Sequence, residues 1–146
     1  KALALRSNFE EANMLMDAFL RNKFLSISKP EVMLDSIARF ESRNKIGSIE
    51  SSFAWFKSLA DLKIARELYD AGKMSEGDKY LKAFESMTTA PVNDDTLPFY
   101  IENAYRSAAY YYFYTKGNKV KAKSYIDKGF EYVPGSRSLQ TFYNWK

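Results

Sequence analysis

An all-α fold of antiparallel helical hairpins, about six or seven helices stacked as a short right-handed solenoid, is the architecture this sequence predicts. Three observations lead there. Apolar residues recur at spacings of three and four almost from end to end. Glycine and proline are few, six and four in 146 residues, and sit between the periodic runs. No alternating apolar/polar stretch is long enough for a strand, and Val and Ile, which suit a pleated surface, are sparse.

The elements follow in order. From about Asn8 to Phe24, the residues Phe9, Ala12, Leu15, Met16, Phe19 and Leu20 make one stripe. The second helix follows "SISKPE", with Ser28 as cap and Pro30 in the first turn, where a missing N–H costs nothing. Val32, Met33, Ile37 and Phe40 are its stripe, and Gly47 its stop. The third runs from Ser51 to Ala71 on Trp55, Leu59, Leu62 and Leu68, with Gly72 as a left-handed cap. Ser75 with Asp78 three residues on is a variant capping box for the fourth, whose stripe is Tyr80, Leu81, Phe84 and Met87. The loop "TTAPVNDDTLP" leads to a fifth helix, Pro98 to Lys116. The turn Gly117–Asn118 leads to a sixth, Lys119 to Tyr132, stopped by Pro134–Gly135. Ser136 to Tyr143 forms a last short helix.

Length and composition bound the function. The 146 residues, 46% hydrophobic, read as a single domain over 1–146 with a real core. The chain starts at Lys1 and not at Met, so it reads as a processed or partial piece of a longer protein. There is no Cys and no His. That excludes disulfides, His/Cys zinc sites, and Cys or Ser-His nucleophiles. No stretch approaches the roughly 20 apolar residues of a membrane span. Net charge is +4 and uneven: residues 101–146 carry eight Lys/Arg against three Asp/Glu, and residues 1–100 fourteen against fifteen. Lys116, Lys119, Lys121 and Lys123 flank the second glycine turn. They alternate around it instead of forming one stripe, so a nucleic-acid partner is not expected and a solvated basic face is.

Two hairpins can be superposed at Gly72 and Gly117. The first reads "IARELYDAGKMSEGDKYLKAFE" and the second "AAYYYFYTKGNKVKAKSYIDKGFE". Five residues after each glycine comes a small residue, Gly77 or Ala122; Tyr80 or Tyr125, Leu81 or Ile126, and Phe84 or Gly129 follow. This pattern resembles the tetratricopeptide repeat (TPR), a helix–turn–helix unit of 34 residues. Ala122, Gly129 and Pro134 stand at the family's small, small and proline spacings. Gly77 fits as well, but Phe84 is large and Thr89 replaces the proline. "NFEEA", with Ala12, looks like the start of another second helix. The hairpins are 45 residues apart, eleven more than one repeat, and the long loop absorbs the excess. The second helix has no counterpart in the family.

Few residues suggest chemistry. Asp94–Asp95 precede the fifth helix, and Glu10–Glu11 stand in the first turn of the first; at helix starts carboxylates cap and complement the dipole, and that is the role expected here. "DAGKMSEG" lacks the spacing of a phosphate loop, and no metal-ligand cluster stands out. No cofactor is expected. Aromatic residues are abundant at 16%, eleven of them Tyr, whose hydroxyl suits a half-wet position.

The densest aromatic stretch is Tyr110 to Tyr114. At about 100° per residue its five rings cannot share a face. Tyr110 and Phe113 are expected to pack on the paired helix near Ala122 and Tyr125. Tyr111 and Tyr114 then face a groove, and Tyr112 a neighbouring helix or solvent.

The TPR resemblance implies a concave groove lined by the first helix of each hairpin: Leu62, Arg66, Tyr69 and Asp70, then Ser107, Tyr111, Tyr114 and Thr115. It implies a non-catalytic scaffold that buries a peptide or partner helix against Tyr69, Tyr111 and Tyr114, with Arg66 and Arg106 fixing polar groups. The family's basic clamp for C-terminal carboxylates is not matched, because Leu62 stands where a basic residue is needed. The alternative is a carbohydrate-binding module in which Tyr and Trp stack on sugar faces, as in TPR-like glycan-capturing proteins of bacterial outer membranes. The sequence does not identify the compartment: it is compatible with the cytoplasm, or with the bacterial periplasm or envelope if an upstream signal has been removed. An enzyme built on two carboxylates is the weakest reading.

Overall fold

Left-handed glycines turn the chain after the third helix and after the extension of the fifth in the computed structural model. It describes residues 9–43 and 50–146, with side chains from residue 14 onward. The expected stop at Gly47 and the small position at Ala12 lie outside what is described. The elements are α1 (Phe9–Leu25), α2 (Pro30–Arg43), α3 (Glu50–Asp70), α4 (Met74–Glu85), α5 (Leu97–Tyr110), α6 (Lys119–Tyr132) and α7 (Arg137–Gln140). A π-helical segment, Tyr111–Thr115, prolongs α5, and a 3-10 turn, Thr141–Asn144, follows α7. Among the described residues there is no strand. The all-α class stands, with every helix within a few residues of its expected span.

Packing divides the chain into two compact units. One holds residues 1–60 and 87–92, the other residues 61–86 and 93–146. In the first unit, Leu20 and Phe24 of α1 meet Met33 and Ile37 of α2 and Phe53 and Phe56 of α3 in a buried core. Its centre is a cluster of phenyl rings: Phe24 lies 5.3 Å from Phe56 and 6.0 Å from Phe40, both edge-on, the arrangement ring quadrupoles favour. Asp17 joins α1 to α3 by accepting from the Ser52 hydroxyl at 2.7 Å and from Arg21 Nε at 2.8 Å. The Arg21 guanidinium then lies 4.7 Å over the Trp55 ring. The stripe expected on α1 is only partly internal. Leu15 is 67% exposed and Phe19 half exposed, because the core takes Leu20 and Phe24, one turn further along.

The second unit is built of hairpins. At the first turn Gly72 has φ +77°, a conformation that L side chains rarely adopt. Its N–H reaches Tyr69 O at 3.0 Å, and Lys73 N–H reaches Leu68 O at 2.8 Å. Those two bonds make a Schellman cap, which satisfies the last carbonyls of α3. α4 then approaches α3 so closely that a Cβ on Gly77 would stand 2.6 Å from the Tyr69 ring. Gly129 does the same for α6: a Cβ there would stand 2.9 Å from Leu139 and 3.2 Å from Tyr105 Cβ. At the start of α5, Asp94 accepts from Thr96 and Leu97 N–H, as expected of a carboxylate before a helix. Asn118 accepts from Lys121 N–H to open α6, and Ser136 from Leu139 N–H to open α7.

One expected cap does not form. Ser75 and Asp78 were to box the start of α4, but α4 begins at Met74, with no side-chain cap at Lys73. The Asp78 carboxylate turns inward and serves two tyrosines. A buried phenol needs an acceptor more than an exposed helix start needs a cap.

Candidate functional site

Two arrangements of polar and aromatic side chains distinguish the second unit, one closed and one open. The closed one lies between hairpins. Tyr69 of α3 and Tyr125 of α6 both donate to Asp78 Oδ1, at 2.8 Å and 2.7 Å. Two turns along α4, Tyr105 of α5 donates to Glu85 Oε1 at 2.8 Å, and Lys128 stands 3.5 Å from the other oxygen. Burial first, then the bond to a carboxylate, pushes the Tyr69, Tyr105 and Tyr125 hydroxyls far above the ordinary phenol range. Tyr132 is raised too, by burial and the nearby Glu85 charge. Through these bonds Asp78 and Glu85 of α4 tie α3, α5 and α6 together.

The open arrangement is at the end of α5. Trp145, brought back by the 3-10 turn after α7, sits at its centre. Phe113 and Phe142 are buried beneath, with ring centroids 5.6 Å and 5.3 Å from the indole. Tyr110 and Tyr114 lie at 5.5 Å and 5.8 Å from it, and 4.6 Å from each other. They remain 53% and 45% exposed. Arg106, one turn before Tyr110, holds its guanidinium 5.8 Å over the indole and donates weakly to Thr141 at 3.4 Å. The interplanar angles are 45° for Tyr110–Tyr114, 43° for Tyr114–Trp145 and 80° for Tyr110–Trp145. No two of the three rings are coplanar, so the surface is a faceted notch and not a flat platform.

The five residues expected to bind a partner separate here. Arg106 and Tyr114 share the aromatic notch. Tyr111 is half-buried elsewhere, with its ring edge over the Gly72 turn: a Cβ on Gly72 would lie 3.3 Å from it. Arg66 is half exposed on α3 and leans toward Asp70 at 3.7 Å. Tyr69 is withdrawn from the set: it is 1% exposed and its hydroxyl is committed to Asp78. Leu62, expected beside it on the groove face, is fully buried.

The ring order in the aromatic run is also corrected. Tyr112, not Tyr110, packs on the paired helix, stacked on Tyr125 at 5.6 Å and 14°. Ordinary helical spacing accounts for this: Tyr112 stands seven residues after Tyr105 and four after Ala108, both fully buried, whereas Tyr110 lies off that face and before the π-helical turn begins. Sequence reasoning missed Tyr110 as an open ring and missed Trp145 entirely. The only available signal for Trp145 was an indole at the end of an apolar run.

The basic residues near the second turn are individually occupied. Lys116, Lys119 and Lys121 stand 5.9, 5.1 and 4.6 Å over Tyr111, Phe113 and Tyr112, and Lys123 pairs with Asp127. No helix among the described residues is long and apolar enough to cross a membrane. Among those residues no three acidic side chains gather as metal ligands. Comparison with protein-family models, with curated proteins and with solved structures finds no match to this chain.

Proposed function

We propose that the chain is a TPR-like, non-catalytic interaction module that takes a peptide or a partner helix on its aromatic notch. One observation carries this reading: Tyr110 and Tyr114 remain about half exposed although Phe113, Phe142 and Trp145 lock them from beneath. Rigid amphipathic rings with little left to order are the side chains that anchor partners best. Arg106 beside the indole supplies a donor for a carbonyl or carboxylate of the bound segment. The close helix approaches at Gly77 and Gly129 support the TPR-like part of the reading. Sugar stacking, the second reading, needs an open flat ring face; the mutual tilts of these rings favour an inserted apolar side chain instead.

Panning a displayed-peptide library against the chain, with a glycan array in parallel, tests it. Peptides selected by the native chain are expected to lose at least tenfold in affinity against Tyr110→Ala/Tyr114→Ala. The variant's helicity stays native, since both rings sit at the surface. Selected peptides that bind the variant equally well, or a glycan that binds where no peptide does, refute the proposal.

A further inference from the structure

The hairpin of α1 and α2 carries a feature that neither its phenyl core nor the aromatic notch explains. A cleft of about 400 Å³ opens beside it, lined by Lys23, Ser36, Arg39, Phe40 and Arg43. Ser36, Arg39, Phe40 and Arg43 stand at i, i+3, i+4 and i+7 of α2, which is one helical face. Lys23 joins them from the last turn of α1. Three cationic residues, a hydroxyl and a phenyl ring therefore line one space, and no carboxylate is among its lining residues.

The crowding has a cost in the free chain. Arg39 and Arg43, four residues apart, are like-charge neighbours that destabilise a helix. Arg39 also meets Asp35, but that pair is mostly exposed to solvent, so it holds weakly and leaves the guanidinium available. Lys23 and Arg43 form no ion pair among the described residues. Helix C-termini favour cations, which accounts for Lys23 or Arg43 taken singly. It does not account for their lining one space together with Arg39 and Ser36.

We propose that this cleft binds a phosphomonoester whose organic part is apolar or aromatic. Two guanidinium forks match phosphate oxygens, an ammonium adds a point charge, and a serine hydroxyl donates a further bond. Donors arriving from two helices suit a tetrahedral anion better than a planar carboxylate. The volume falls in the range of roughly 300–1,000 Å³ that small-molecule sites occupy, and the Phe40 ring gives the organic part an apolar wall. Every residue invoked lies in the first unit, so the proposal is independent of the aromatic notch.

Calorimetric titration with phenyl phosphate, inorganic phosphate and benzoate tests it, on the native chain and on Arg39→Gln/Arg43→Gln. Phenyl phosphate is expected to bind saturably, to weaken with added salt, and to lose at least tenfold in the variant, whose helicity by circular dichroism is unchanged. Lys23→Gln, on the other helix, should lose severalfold. Inorganic phosphate and benzoate should each bind more weakly than phenyl phosphate. Equal affinity in native and variant chains, or no saturation up to about 10 mM, where binding would be worth only a few kcal/mol, overturns the proposal. Benzoate binding as tightly as phenyl phosphate overturns the phosphate assignment, and inorganic phosphate doing so overturns the role given to Phe40.

Discussion

The two hairpin turns of the second unit look alike in sequence and differ by one residue of backbone. After α3, the closing bond runs from Lys73 N–H to Leu68 O, five residues back, and the helix remains α-helical to its end. After α5, Lys116 N–H reaches Tyr111 O and Asn118 N–H reaches Tyr112 O, six residues back, around the π-helical turn. Both turns use a left-handed glycine, Gly72 at φ +77° and Gly117 at +63°. The first is covered by the Tyr111 ring, whereas a Cβ at the second would meet nothing within 4 Å. The narrower turn is thus packed beneath a ring from the next hairpin, and the wider one stands open, while within the wider segment Tyr112 stacks on Tyr125.

Joining the hairpins is the work of tyrosines whose protons are held tightly, so alkali should have the largest effect. Tyr69, Tyr105 and Tyr125 have native pKa values raised above the unfolded value near 10. Their contribution is fully present below pH 10 and is lost as pH rises above it, because the unfolded chain releases protons that the native chain keeps. At pH 11 each costs on the order of 1 kcal/mol, a few kcal/mol for the three. Phenolate absorbance from these three should appear only together with loss of helical circular dichroism. Stepwise ionisation with helicity intact would mean that the hairpins are held by something else.

Removing the shared acceptor should come next. Asp78→Ala leaves two buried hydroxyls without their carboxylate and is expected to cost about 3 kcal/mol in denaturant unfolding. Tyr69→Phe/Tyr125→Phe/Asp78→Ala should recover part of that loss, since no orphaned hydroxyl remains. A triple variant less stable than Asp78→Ala would deny the coupling.

The smallest effect separates the turns themselves. Gly72→Ala should cost about 2 kcal/mol, combining the left-handed backbone with a 3.3 Å approach to Tyr111. Gly117→Ala should cost about 1 kcal/mol, from the backbone alone. Equal losses in thermal melts would show that Tyr111 yields freely at the first turn.

Periodicity and punctuation carried the architecture far. The α6 limits Lys119–Tyr132, the left-handed Gly72 and the small positions Gly77 and Gly129 were all legible, because each follows from local backbone geometry or from the room one residue type leaves. The candidate site was legible only in part. Arg106 and Tyr114 were named from the groove that the TPR resemblance implies. Tyr69 was misplaced because an amphipathic ring reads the same whether its hydroxyl meets water or a buried carboxylate. Asp78 was misread for the matching reason: a carboxylate three residues after a serine fits a cap, and only the arrival of Tyr125 from 47 residues away decides otherwise.

What the sequence by itself determined is therefore the set of helices and most of their ends, which interactions a few residues long fix, together with the small residues that leave room for a neighbour. Tertiary structure alone decided which aromatic rings are core and which are open. That choice depends on Tyr125 and Tyr69 meeting one carboxylate from separate helices, and on Trp145 folding back to seat Tyr110 and Tyr114. Such contacts join residues by distance in space, and no local pattern records them.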